Sequence, residues 1–244
     1  DNIKGLVDFT MEEDVLRNGS LEDHLLSDTH TDSNGLDFWL GNVYYNGKLG
    51  KWGVDWNTDY YKTSQLSNAN TLEREYAGER TVVALNDVSS WMIATKLVFS
   101  RPLGRGTLLA GSELSFAKRN NLYEISEEAI ANDLSDVKEN IYSLFAEYSA
   151  FIPKAGMLSA GLRFEHIDFS YENNVKSSEN LSRHLNNLFP FISFGTRFGK
   201  VETQLLYSLK TRRPNYYPLR SNIEYNNRYT LSTGDPKLEN EIRH

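Results

Sequence analysis

An all-β antiparallel meander of about nine strands, running up and down in chain order, is the fold class this sequence predicts. Three observations predict it. Apolar and polar residues alternate with period two in segment after segment. Short and long connections alternate along the chain, and aromatic residues gather near segment ends. Composition agrees: 244 residues, 39% hydrophobic, with 12 Phe, 4 Trp and 14 Tyr, are too apolar for a disordered tail. A mean hydropathy of −0.53 and no long apolar run exclude a transmembrane helix. Zero cysteines exclude disulfides, Cys-ligated zinc, iron–sulfur clusters and thiol chemistry. A net charge of −7 argues against a nucleic-acid partner. Asp1 opens the chain without Met or a signal peptide, so a processed or excised piece is expected.

The elements follow in order. Segments 2–10 and 36–48 are the weaker strand candidates. In 52–60, Trp52, Val54, Trp56, Thr58 and Tyr60 share one face, opposite Asp55, Asn57 and Asp59. In 91–99 the apolar face is Trp91, Ile93, Thr95, Leu97 and Phe99, and in 106–117 it is Leu108, Ala110, Ser112, Leu114 and Phe116. Segment 141–152 sets Tyr142, Leu144, Ala146 and Tyr148 against Ser143 and Glu147. Segment 157–165 sets Leu158, Ala160, Leu162 and Phe164 against Arg163 and Glu165. Segments 190–198 and 201–209 close the series with Ile192 and Phe194, then Leu205 and Tyr207. No helix is expected, beyond a short one in the acidic run 124–139.

Short turns fall at 49–51, 101–105, 153–156 and 199–200, and long polar stretches at 11–35, 62–88, 118–138, 171–186 and from 213 onward. This regular alternation suits a barrel with tight turns at one rim and long loops at the other. A Greek-key sandwich mixes its loop lengths. Strands of roughly 10–14 residues exceed the ~5–6 common in globular sheets and suit the ~9–11 of a tilted membrane strand. Alternation by itself also describes a soluble sandwich, apolar in and polar out. The reading adopted is part of a transmembrane outer-membrane β-barrel, with outer-membrane lipid against the apolar face. An odd strand count, a first strand at the N-terminus and a last loop with no strand after it make 1–244 a partial β-barrel domain, an interior slice.

Specific stretches resemble a known family. The hairpin 97–116 (LVFSRPLGRGTLLAGSELSF) is similar to one in the barrels of TonB-dependent outer-membrane receptors, specifically the outer membrane β-barrel proteins common in Bacteroidetes. So are 140–148 (NIYSLFAEY), 158–165 (LSAGLRFE), and the pair formed by 207–216 (YSLKTRRPNY) and 234–238 (GDPKL). Asp235 stands where that family usually has Asn. The resemblance covers about residues 90–240. It implies a barrel of about 22 strands around a plug domain, energised by the inner-membrane TonB complex. Plug, TonB box and closing aromatic strand are not recognisable here. The resemblance further implies import of a nutrient, whether iron chelate, glycan or peptide, without naming one.

Candidate site residues fall in two sets. Arg163, Glu165, Arg197 and Glu202 lie on polar faces of neighbouring strands, as lumen- or plug-facing groups or as cross-strand ion pairs. Arg212, Arg213, Tyr216 and Tyr217, with Tyr225 and Tyr229 further along, put guanidinium groups beside aromatic rings, a composition that grips a sugar, an anion or a chelate. The same residues also suit a structural strand end with an aromatic cluster. Asp28–Gly35 lacks the ligand spacing of a calcium loop and reads as a polar loop. The five histidines show no zinc spacing. His166, Asp168 and Ser170 share a strand face but form no recognisable hydrolase motif, so no enzyme, metal or cofactor is expected.

Overall fold

Period-two alternation does produce strands, and they run well past the apolar segments. The computed structural model describes residues 5–17 and 20–243; residues 2–4 of the expected first strand and His244 lie outside them. One sheet contains β1 (Gly5–Arg17), β2 (Ser20–Leu49), β3 (Trp52–Glu75), β4 (Gly78–Leu103), β5 (Gly106–Ile125), β6 (Asp133–Ile152), β7 (Gly156–Asn173), β8 (Leu181–Phe198) and β9 (Val201–Ser208). Each pairs antiparallel with the next, in chain order. The meander is as expected.

Much of the first four long polar stretches is strand rather than loop, whereas 126–132, 174–180 and most of 213–240 are irregular chain. Residues 62–75 and 78–88 pair throughout as the upper halves of β3 and β4, and Asp28–Ser33 lies in β2 opposite Ser67–Leu72. Gly35, at φ 58°, sits in the register shift between Ser33 and Leu36. The acidic run carries no helix: β5 continues to Ile125 and β6 starts at Asp133. The reason is the covered face. The inward row of β3 is polar although buried, with Thr63, Thr71 and Glu73, while β4 is apolar on both faces, with Val82 and Ala84 buried and Val83 exposed, so the apolar–polar alternation that marks a strand disappears.

Register places the apolar stripes side by side. Tyr45, Trp56, Leu97, Ser112, Leu144, Phe164 and Leu188 follow one another across seven strands. That face is open: Leu144 is 64% and Leu205 68% exposed. The polar face is the covered one, with Ser143 and Glu165 buried. A soluble sandwich has the opposite arrangement. Trp56 donates its indole N–H to Thr95 Oγ1 (3.0 Å), so even this outward ring carries no bare donor into hydrocarbon. Aromatic residues bound the outward stretch, with Trp52 and Tyr148 near the tight turns, Tyr60, Trp91 and Tyr142 at the other limit. Successive tight turns are staggered. Gly106, which closes one turn against Leu103, pairs with Ala150 rather than with Ile152, where the next turn begins. Such stagger accompanies strand tilt in barrels.

After β9 the chain turns back over the polar face. Leu209 N–H bonds to Pro190 O (3.2 Å), and β10 (Lys210–Arg212) pairs with β13 (Glu241–Arg243). Between them lie a one-turn helix α1 (Tyr216–Leu219) and the small pair β11 (Glu224–Tyr225) and β12 (Leu231–Ser232). The hydrophobic core sits beneath this segment. Leu219 packs with Val137, Ile141, Ile167, Phe169 and Tyr171 from the polar faces of β6 and β7.

Candidate ligand-binding site

Residues 209–243 form a strap across the polar face, fixed to strand after strand. Arg213 reaches Glu165 on β7 (2.5 Å), and Arg183 on β8 donates to the carbonyls of Leu238 (2.7 Å) and Lys237. Ser221 Oγ meets Tyr171 Oη (2.5 Å) and accepts from Asn173 Nδ2 (3.0 Å), which also donates to Asp133 on β6 (2.6 Å). Gly234 is obligatory. A Cβ there would strike the carbonyl oxygens of Pro218 and Arg220, where Asp235 N–H bonds Pro218 O (2.7 Å).

The tip is held by a buried carboxylate. Glu73 is 1% exposed. It accepts from Tyr225 Oη (2.6 Å), Arg80 Nε (2.6 Å) and Arg228 N–H (2.7 Å). Burial alone would raise its pKa, but the bonds from Tyr225, Arg80 and the Arg228 amide outweigh that and hold it below the ordinary value. The same burial, with Glu73 as acceptor, pushes the Tyr225 phenol upward. Asn227, fully buried, accepts from the amides of Tyr229 and Thr230, and Thr230 Oγ1 donates to Glu13 on β1 (2.8 Å).

Between strap and sheet lies a cavity of about 490 Å³, the scale of a small-ligand site. Arg119, Arg183, Arg213, Tyr216 and Tyr217 line it, over a floor of Ile167, Phe169, Leu185 and Leu219. Arg213 Nε is buried without a partner, and Arg119 has the Tyr216 phenol but no carboxylate beside it. Burial draws the Arg119 guanidinium below its ordinary value. Tyr216 is pushed up to about 12, first by burial and then by the Glu139 carboxylate. Glu139, also lining the cavity, is raised by burial despite Arg213 nearby. Three guanidinium groups against one carboxylate leave the walls cationic in a chain that is acidic overall.

The expected site residues separate accordingly. Arg213, Tyr216 and Tyr217 come together at the cavity. Arg212 lies in β10, opposite Glu241, and Tyr229 is a partly exposed residue at the tip. Tyr225 is an anchor, bonded to Glu73 and Arg80, rather than a residue on a free surface loop. Arg163 bonds Glu113 (2.8 Å), Ser143 (2.8 Å) and Glu165 (3.3 Å) on the polar wall. Arg197 and Glu202 do not join that network. They face each other at 3.8 Å across β8 and β9, exposed beside the tight turn. Arg119, Arg183, Glu73 and Arg80 escaped the sequence reading, because the polar stretches holding them were taken for loops. Had period two been followed through Thr71, Glu73 and Glu75, one inward row would have emerged.

A search of curated proteins finds no match to this chain. A family model, that of the outer membrane protein beta-barrel family, matches residues 46–244. That match takes in every strand from β3 onward and the whole strap. The inverted sheet, apolar outside and polar inside, is the arrangement such a family requires. The chain therefore belongs to the outer membrane protein beta-barrel family, and its place is the bacterial outer membrane.

Proposed function

We propose that this chain is barrel wall from a TonB-dependent receptor that imports a nutrient, and that the nutrient carries an anionic group. The observation behind the ligand class is the cationic cavity under the strap, where Arg213 Nε has no partner and Arg119 has no carboxylate beside it. A carboxylate or phosphate group would satisfy both, and Tyr216 and Tyr217 would pack against the rest of the ligand. Further strands would complete the wall, because β1 and β9 do not pair with each other and hydrocarbon tolerates no open edge. A plug and the inner-membrane TonB complex are the partners that this reading requires.

The test is growth of the source bacterium on media with one iron chelate, glycan or peptide source at a time. Deleting the gene should slow growth on one anionic source, and removing TonB should reproduce the defect. Arg119→Ala with Arg213→Ala, at normal outer-membrane levels, should do the same. A defect that persists unchanged whether or not TonB is present would instead indicate a surface barrel that docks its partner without transport.

A further inference from the structure

On the outward face of β7 and β8, across the sheet from the cavity, two imidazoles converge on one carboxylate oxygen. His166 Nε2 stands 3.1 Å from Asp168 Oδ1, and His184 Nδ1 stands 2.6 Å from the same atom. The three ligand atoms lie within 4.8 Å of one another. We propose that His166, Asp168 and His184 bind a first-row divalent transition-metal ion, zinc being the simplest case.

The backbone pre-arranges the set. His166 lies opposite Asn186 and Asp168 opposite His184, two pairs along one hydrogen-bonded ladder. Asn186 orients the ring: its Oδ1 accepts from His166 Nδ1 at 2.8 Å, which leaves the lone pair on Nε2. That lone pair faces a carboxylate oxygen, and two acceptors so close repel unless a proton or a cation lies between them. A tetrahedral ion with bonds of about 2.0–2.1 Å separates its ligand atoms by about 3.3 Å, so His166 and Asp168 already stand near that spacing. His184 must swing outward by a fraction of an ångström, and its side chain is 68% exposed. Two imidazoles with one carboxylate suit zinc, copper or nickel rather than calcium or magnesium. Elsewhere on this face, His24 meets Asp14 and His30 meets Asp8, one imidazole to each carboxylate. Among the described residues only the β7–β8 position gathers three such ligands.

The experiment uses the untagged full-length protein in detergent, with Zn²⁺ titrated by calorimetry and Co²⁺ by visible absorption. One Zn²⁺ per chain should bind, and Co²⁺ should give the d–d bands of an imidazole-ligated site. His184→Ala and Asp168→Ala should each weaken Zn²⁺ binding by at least about tenfold, and Asn186→Leu by about tenfold through loss of ring orientation. His30→Ala should leave binding unchanged. All of these positions lie on the outward wall, so unaltered far-ultraviolet circular dichroism should accompany each variant. No saturable binding, or equal affinity in the protein and its His184→Ala variant, would overturn the proposal.

Discussion

At the scale of single residues, the strap depends on buried charge that is fully paired. Glu73 receives three hydrogen bonds and Glu165 receives both Arg163 and Arg213. Removing one donor from such a carboxylate costs about 1–3 kcal/mol, so Tyr225→Phe should loosen the tip. Hydrogen exchange at the Arg228 amide, which donates to Glu73, should then quicken. Acid should act in the same direction. The docked Glu73 carboxyl lies below its ordinary value of 4.5 and moves upward when the tip lifts away, because the Tyr225 and Arg228 bonds are lost while Arg80 stays. Docking strength is therefore complete above about pH 4.5 and is lost as pH falls through the lower docked value. Exchange at Arg228 that is insensitive both to acid and to Tyr225→Phe would contradict this. Residue type alone singled out Arg213, Tyr216 and Tyr225. Their partners stayed hidden because Glu73 and Arg80 are far away in sequence, and only the meander brings them beneath the strap.

At the scale of elements, tight turns and apolar stripes were legible and strand lengths were not. The turns at Gly50, Gly104 and Gly199 have positive φ, and each closes a hairpin where the sequence placed one. The upper halves of β3 and β4 were missed, since β3 is polar on its covered face and β4 is apolar on both faces, and neither pattern alternates. Their backbone amides are nonetheless paired as far as Glu75 and Gly78. Amide exchange over 64–74 and 79–88 should accordingly be slow, about as slow as in a sheet and unlike a surface loop. Fast exchange there would restore the loop reading. The strap has its own weak point. Gly234→Ala should push residues 218–220 and 234 apart, lift Leu219 from the core and expose 213–236 to limited proteolysis, while the nine-stranded sheet keeps its circular dichroism.

For the whole molecule, the sheet is inside out relative to a soluble protein. Its exposed apolar face has no partner among the described residues, and its polar face is covered by the chain's own C-terminal segment. Alternation predicted two unlike faces, and only the structure could say which one is covered, since period two is the same in a sandwich and a membrane barrel. The strap itself lay beyond periodicity, because its contacts are individual bonds to β1 and to β3–β8 in the absence of any repeating pattern. Lipid contact on the apolar face is the central claim. It is tested most directly by acyl-chain bromine quenching of single-tryptophan variants that keep Trp56, Trp91 or Trp52 in bilayers. Trp56, in the middle of the outward stretch, should be quenched most strongly by bromine placed deep in the chains, and Trp52 and Trp91 by bromine nearer the headgroups. Absence of quenching at Trp56, with a monodisperse species in buffer free of detergent, would contradict the account.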